Sequence, residues 1–116
     1  MLVITHSQMT AFRQARLTDF AEQLARRARR IHPDATAGLD DTRLVAMMEA
    51  VIKAARARGL RRQSHLERFS DLSMTLGFGF ESKETWARAI FANRGMSAAD
   101  RLREAEASAV FIIRGA

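Results

Sequence analysis

The stretch Gly59–Phe80 constrains the fold most, because two glycines enclose an apolar pattern with the period of a helix. The residues that recur at steps of three and four positions are Leu66, Phe69, Leu72, Ser73 and Leu76. Glycine adopts a positive φ without steric cost, so Gly59 and Gly77 are predicted to end helices. In a chain of 116 residues, a helix that is apolar along much of its length is predicted to be central.

The N-terminal third is predicted to form one long helix. The apolar residues Met1–Ile4 lead into Thr5, which forms a capping-box pattern with Gln8. Pro33 disfavours helical backbone in the residue before it, so this helix is expected to end at about His32.

The rest of the chain is predicted to form about four more helices. Loops are expected at Pro33–Gly38 and at Phe78–Phe80, where one or both phenylalanine rings insert. The predicted N-caps are Asp40 or Asp41, Ser64 in a box with Glu67 (or an earlier start near Arg62), Ser82 and Ser97. No segment alternates with period two, so we expect an all-α, compact bundle in a single domain. The expected core includes Leu24, Val51, Ile52, Phe69, Leu72, Leu76 and Ile90.

The net positive charge comes entirely from the first half of the chain, and such an excess of cations is relevant to nucleic-acid binding. Residues 1–62 carry twelve Arg/Lys and six Asp/Glu, whereas residues 63–116 carry seven of each. The clusters at Arg26–Arg30 and Lys53–Arg62 are typical of a solvated face, but they also suit phosphate contacts. A helix-turn-helix around Gly59 needs apolar residues where His65 and Arg68 stand, so that motif fails. A basic nucleic-acid-binding module remains the alternative function.

Catalytic, metal and membrane patterns are weak in this sequence. It has no cysteine, and His6, His32 and His65 have no partner at ligand spacing. No nucleophile motif or phosphate loop is present, so we expect a protein that is not an enzyme and needs no cofactor. The N-terminus lacks a secretory signal, and the longest apolar run, Val110–Ile113, is too short to span a bilayer. A cytoplasmic protein without membrane contact is expected.

Large apolar side chains at the ends of helices are the candidate partner site. Specific interfaces are anchored by aromatic and arginine residues, and an exposed apolar patch marks such a site. The predicted partner-binding residues are Phe78, Phe80, Trp86, Arg88 and Phe111. Of the two phenylalanines beside Gly79, Phe80 is the one expected to turn inward, which leaves Phe78 as the better anchor.

A sequence of short motifs spans most of the chain and resembles a family of small helical bacterial proteins associated with type VI secretion effector clusters. These motifs are Ile4-Thr5-x-x-Gln8-Met9, Phe20, Pro33, Gly38-Leu39-Asp40-Asp41, Gly59-Leu60, Leu72, Leu76-Gly77, Phe80 and Trp86. Family members tend to have an aromatic residue at Arg58, an acid near Gln63 and an acid after Phe80, and only Glu81 agrees here. The resemblance implies a non-enzymatic chaperone or adaptor that binds a co-encoded effector, and an immunity protein is compatible with it.

Overall fold

The computed structural model describes residues 5–114, which form seven helices and no strand. The helices are α1 (His6–Ile31), α2 (Pro33–Thr36), α3 (Asp41–Ala57), α4 (Gln63–Leu76), α5 (Phe80–Lys83), α6 (Thr85–Phe91) and α7 (Ala98–Ile113). The all-α prediction is confirmed for these residues, although there are seven helices rather than about five. The predicted apolar lead-in at Met1–Ile4 lies outside the described residues.

Contacts divide the chain into two units, Met1–Glu49 and Ala50–Ala116, with the boundary inside α3. The first unit contains α1, α2 and the first half of α3, and the second contains the remainder. The expectation of a single domain stays a prediction.

The predicted capping box begins α1. The amide of Gln8 donates to Thr5 Oγ1 at 3.2 Å, and the amide of Thr5 donates to Gln8 Oε1 at 2.8 Å. The helix ends where predicted, with His32 as its C-cap ahead of Pro33. Its buried stripe begins only at Leu17, and nearly every residue from 5 to 16 is exposed.

The segment after α1 was predicted as a loop, and that prediction is wrong for Pro33–Thr36. Proline occupies the first position of α2, where its missing N–H is not needed. The guanidinium of Arg29 then ties this segment to the start of α3. It donates to the carbonyls of Thr36 and Leu39, at 3.1 and 2.7 Å, and to Asp41 at 3.0 Å.

Asp40 is the N-cap of α3, because its carboxylate accepts from the amide of Arg43 at 2.8 Å. The helix ends as predicted at Gly59, whose φ is +85°. The amide of Gly59 donates to the Arg56 carbonyl and that of Leu60 to the Ala55 carbonyl, each at 3.0 Å. This is the Schellman pattern, and it is completed by a fully buried Leu60.

Two predicted caps after α3 are wrong. The capping box of Ser64 and Glu67 does not begin α4, whose N-cap is Arg62, two residues earlier and without a side-chain bond, so the alternative start near Arg62 is confirmed. Ser82 does not cap a helix but lies inside the short helix α5. The left-handed backbone of Gly79 lets a new turn start at once, and the extended backbone of Glu84 separates α5 from α6.

The last helix, α7, packs against α4 and α6. The Ser97 hydroxyl caps it by accepting from the amide of Asp100 at 3.1 Å, as predicted. Its buried residues, Leu102, Ala105 and Ala109, follow the helical period. Beyond Ala109 the helix continues for one further turn that is exposed.

The core prediction is confirmed for five of its seven residues. Leu24, Val51, Ile52, Phe69 and Leu72 are buried. The prediction is wrong for Leu76 and Ile90, which are half-buried. Both lie in the last turn of their helices, at the end of α4 and next to the end of α6, where fewer residues remain to cover them.

Candidate functional site

Four aromatic rings of the second unit form a cluster, and Phe80 lies in its middle. The ring centroid of Phe80 is 5.4 Å from Phe69, 6.3 Å from Phe91 and 6.5 Å from Trp86. These separations are those of favourable tilted and edge-to-face pairs. With 1% of its surface exposed, Phe80 is a core residue. Its prediction as a partner-binding residue is corrected, because the cluster covers its ring.

The neighbouring candidates lie at or near the surface. Phe78 is half-buried, and so is Trp86, which packs on Phe80 while part of its indole stays accessible. Arg88 is exposed, and its side chain has no hydrogen bond or ion pair within the described part of the chain. The structure therefore brings Phe80 and Trp86 together, whereas Arg88, two residues after Trp86 on α6, makes no cation–π contact with either ring in the described part of the chain. Partner binding by Phe78, Trp86 and Arg88 stays a prediction.

Phe111 belongs to the largest run of exposed apolar side chains among the described residues. Val110, Phe111, Ile112 and Ile113 are exposed by 50, 63, 45 and 58%. These four residues fill the last turn of α7, so their side chains point in every direction around the helix axis. We call Val110–Ile113 the apolar end of α7. A contiguous exposed apolar patch of this kind marks an interaction site more often than scattered exposed residues do.

A small cleft lies beside α5, and sequence reasoning missed its central residue, Glu81. The cleft measures about 430 Å³, and its charged lining residues are Glu81, Arg58 and Arg88. The match of Glu81 to the acid that follows Phe80 in the resembling family was the one available signal. That match could not reveal burial, because burial depends on how α5 packs.

The arginines predicted as a solvated face divide into two groups. Arg29 is committed to Thr36, Leu39 and Asp41, as described above. Its neighbours Arg26 and Arg30 are exposed. The cations of the second cluster outside the Gly59 turn, Lys53, Arg56, Arg61 and Arg62, are exposed as well.

Metal-ligand clusters and membrane-spanning helices are both absent from residues 5–114. No group of three or more His, Asp or Glu side chains there is arranged to hold a metal ion. No helix in this range is long and apolar enough to cross a membrane. No protein-family model matches the chain, and no curated protein or solved structure does either.

Proposed function

We propose that this chain is a non-enzymatic accessory factor that binds another protein through the apolar end of α7. The observation that carries the proposal is the exposure of four consecutive large apolar side chains, Val110–Ile113, in one turn of helix. Complete burial of one such side chain is favourable by about 1.5–3 kcal/mol. This free energy is not gained while the turn is exposed to water. An apolar groove on a partner would recover that free energy and use Phe111 as an aromatic anchor.

The resemblance to proteins of type VI secretion clusters supports a particular kind of partner. A chaperone or loading adaptor holds a co-encoded effector through an apolar surface before secretion. An immunity protein against such an effector is the other form of the same proposal. In both forms the chain contributes binding and no chemistry.

A basic nucleic-acid-binding module is the second candidate, because a short stretch of the second unit carries unpaired cations. Lys53, Arg56, Arg61 and Arg62 are exposed, and none has an acidic partner among the residues that the structure describes. Such side chains can neutralise phosphates and release the counterions around them. The two candidates differ in how strongly salt weakens the complex.

The experiment combines capture with a salt titration. The tagged chain is captured from its native host with and without nuclease, and the bound species is identified by mass and purified. The affinity is then measured at about 0.05 and 0.5 M salt. We expect a protein whose capture survives nuclease and whose affinity changes by less than about tenfold, whereas several phosphate contacts would give a loss of several orders of magnitude. Capture of nucleic acid alone with the steep salt dependence would overturn the proposal.

A further inference from the structure

Glu81 differs from the other buried polar side chains of the described chain. Those others, Thr36, Ser70 and Ser73, each donate a hydroxyl hydrogen to a carbonyl of a preceding residue. Glu81 is 6% exposed, and its Oε2 atom is buried without a hydrogen-bond partner in residues 5–114. Burying a carboxylate is unfavourable unless a positive group or donors compensate for the lost water.

The compensating arginines are close, but neither pairs with Glu81. Arg58 donates to the Ala54 carbonyl at 3.0 Å and to Ser82 Oγ at 3.2 Å, so two of its nitrogens are committed. Arg88 is exposed, and its guanidinium makes no hydrogen bond or ion pair with the described residues. The cleft of about 430 Å³ is lined by four of these residues, Glu81, Arg58, Ser82 and Arg88.

The remaining lining of the cleft sets the size and polarity of what it can hold. Ala57 and Phe91 supply an apolar wall next to the charged groups. The Ser82 hydroxyl accepts from Arg58, so its own hydrogen is free to be donated. A volume near 430 Å³ is at the small end of ligand sites, which span about 300–1,000 Å³. The cleft therefore suits a small molecule with one apolar arm.

The charges select among small molecules. A simple cation would compensate Glu81 but would meet the positive charge of Arg58 and Arg88. A simple anion would pair with Arg88 but would lie against the buried carboxylate. A zwitterion compensates both kinds of charge, with its positive end toward Glu81 and its negative end on the guanidinium of Arg88.

We infer that this cleft binds the zwitterionic head group of a free α-amino acid, with the ammonium toward Glu81 and the carboxylate on Arg88. The side chain of the amino acid lies against Phe91 and Ala57. This binding is separate from the partner site at the apolar end of α7, and neither proposal depends on the other.

The test uses matched ligands and matched variants. L-alanine, L-valine, L-leucine and L-phenylalanine are titrated into the labelled protein and followed by two-dimensional NMR. Leucinamide, which lacks the carboxylate, and N-acetyl-leucine, which lacks the ammonium, are the ligand controls. We expect saturable shifts at Glu81, Ser82 and Arg88 with at least one amino acid, and at least about tenfold weaker binding of both controls.

The variants Glu81→Gln and Arg88→Gln should each weaken binding of the best amino acid by at least about tenfold. Glu84→Gln, which removes an exposed acid outside the cleft, should leave it unchanged. Glu81→Gln should also raise the melting temperature of the free protein, because it removes an uncompensated buried charge. No shift with any of the four amino acids, or equal binding of either control ligand, would overturn the inference. A lower melting temperature for Glu81→Gln would also contradict it, since it would show that the carboxylate is already paired.

Discussion

Arg68 of α4 and Glu106 of α7, thirty-eight residues apart in sequence, form a two-point ion pair between their helices. Arg68 Nε donates to Glu106 Oε2 at 2.9 Å, and Nη2 donates to the other carboxylate oxygen. Arg68 occupies one of the positions at which a helix-turn-helix needs an apolar residue. Instead of packing in a helix-turn-helix, the side chain at this position joins α4 to α7, the helix that carries the apolar end.

A double-mutant cycle on Arg68→Ala and Glu106→Ala should give a coupling free energy of about 1 kcal/mol. The two side chains are 38 and 32% exposed, so water screens part of the attraction. The exposed pair of Arg103 and Asp100, three residues apart on one helix, is the control and should couple by less than about 0.5 kcal/mol. Chemical denaturation of the two sets of variants measures both couplings. Equal couplings would contradict the claim that the Arg68–Glu106 pair is the stronger of the two.

The same pair makes a prediction about alkaline pH. Hydrogen bonding to Glu106 raises the pKa of Arg68 above its ordinary value. A raised pKa means that the folded chain holds the proton more tightly, so the stabilisation is present at lower pH and is lost only as the pH rises through the raised value. The coupling between Arg68 and Glu106 should therefore be constant from about pH 7 to about pH 10. A coupling that fades within this range would show that the pair does not form as described.

Two leucines of α4 offer a matched test of the core. Leu72→Ala should lower the free energy of unfolding by about 2–5 kcal/mol, because the side chain is buried and its removal leaves a cavity. Leu76→Ala removes the same atoms from a half-buried position and should cost less than half as much. Urea denaturation compares the two variants, and equal losses would place the core of α4 elsewhere.

Adjacent arginines of α1 should differ sharply in their contribution to stability. Arg29→Ala removes the donor of the Leu39 carbonyl and one of the two donors of the Thr36 carbonyl, which keeps the Leu39 amide, and it should cost about 1–3 kcal/mol. Arg30→Ala makes the same change at an exposed neighbour and should alter stability by at most about 0.5 kcal/mol. Thermal unfolding followed by circular dichroism gives both values. A neutral Arg29→Ala would mean that these hydrogen bonds do not persist in solution.

Alanine substitutions at Gly77 and Gly38 test whether the residue after α4 must adopt a positive φ. An added Cβ meets no atom within 4 Å at either glycine, so steric overlap with neighbours does not enter the comparison. Gly77 has φ +103°, whereas φ is not positive at Gly38. Gly77→Ala should therefore cost about 1–2 kcal/mol, and Gly38→Ala should be neutral or slightly stabilising. Similar melting temperatures for the two variants would contradict the assigned backbone.

Much of the helical structure could be predicted because its signals are local. The Thr5 capping box, the Asp40 cap, the closing glycines and the Ser97 cap each depend on residues a few positions apart. The two helices of four residues, α2 and α5, were missed because one turn is too short to show an apolar period.

The candidate site was predicted less completely, because its geometry depends on packing between helices. Exposure of Phe111 and half-burial of Phe78 agree with their place at helix ends. Two other helices, α4 and α6, had to be placed before Phe80 could be seen among the rings of Phe69, Phe91 and Trp86. The cleft shared by Glu81 and Arg58 could not be predicted for the same reason, because Glu81 lies in α5 and Arg58 directly follows α3.

The affinity of the purified partner for the Phe111→Ala variant tests the central claim most directly. Phe111 is 63% exposed, so the substitution should leave the melting temperature unchanged while it removes the aromatic anchor of the interface. Glu104→Ala, an exposed truncation on the same helix, is the control. We expect Phe111→Ala to raise the dissociation constant at least about tenfold and Glu104→Ala to leave it within about twofold of the unsubstituted protein. Equal affinity of the two variants would show that the partner does not bind the apolar end of α7.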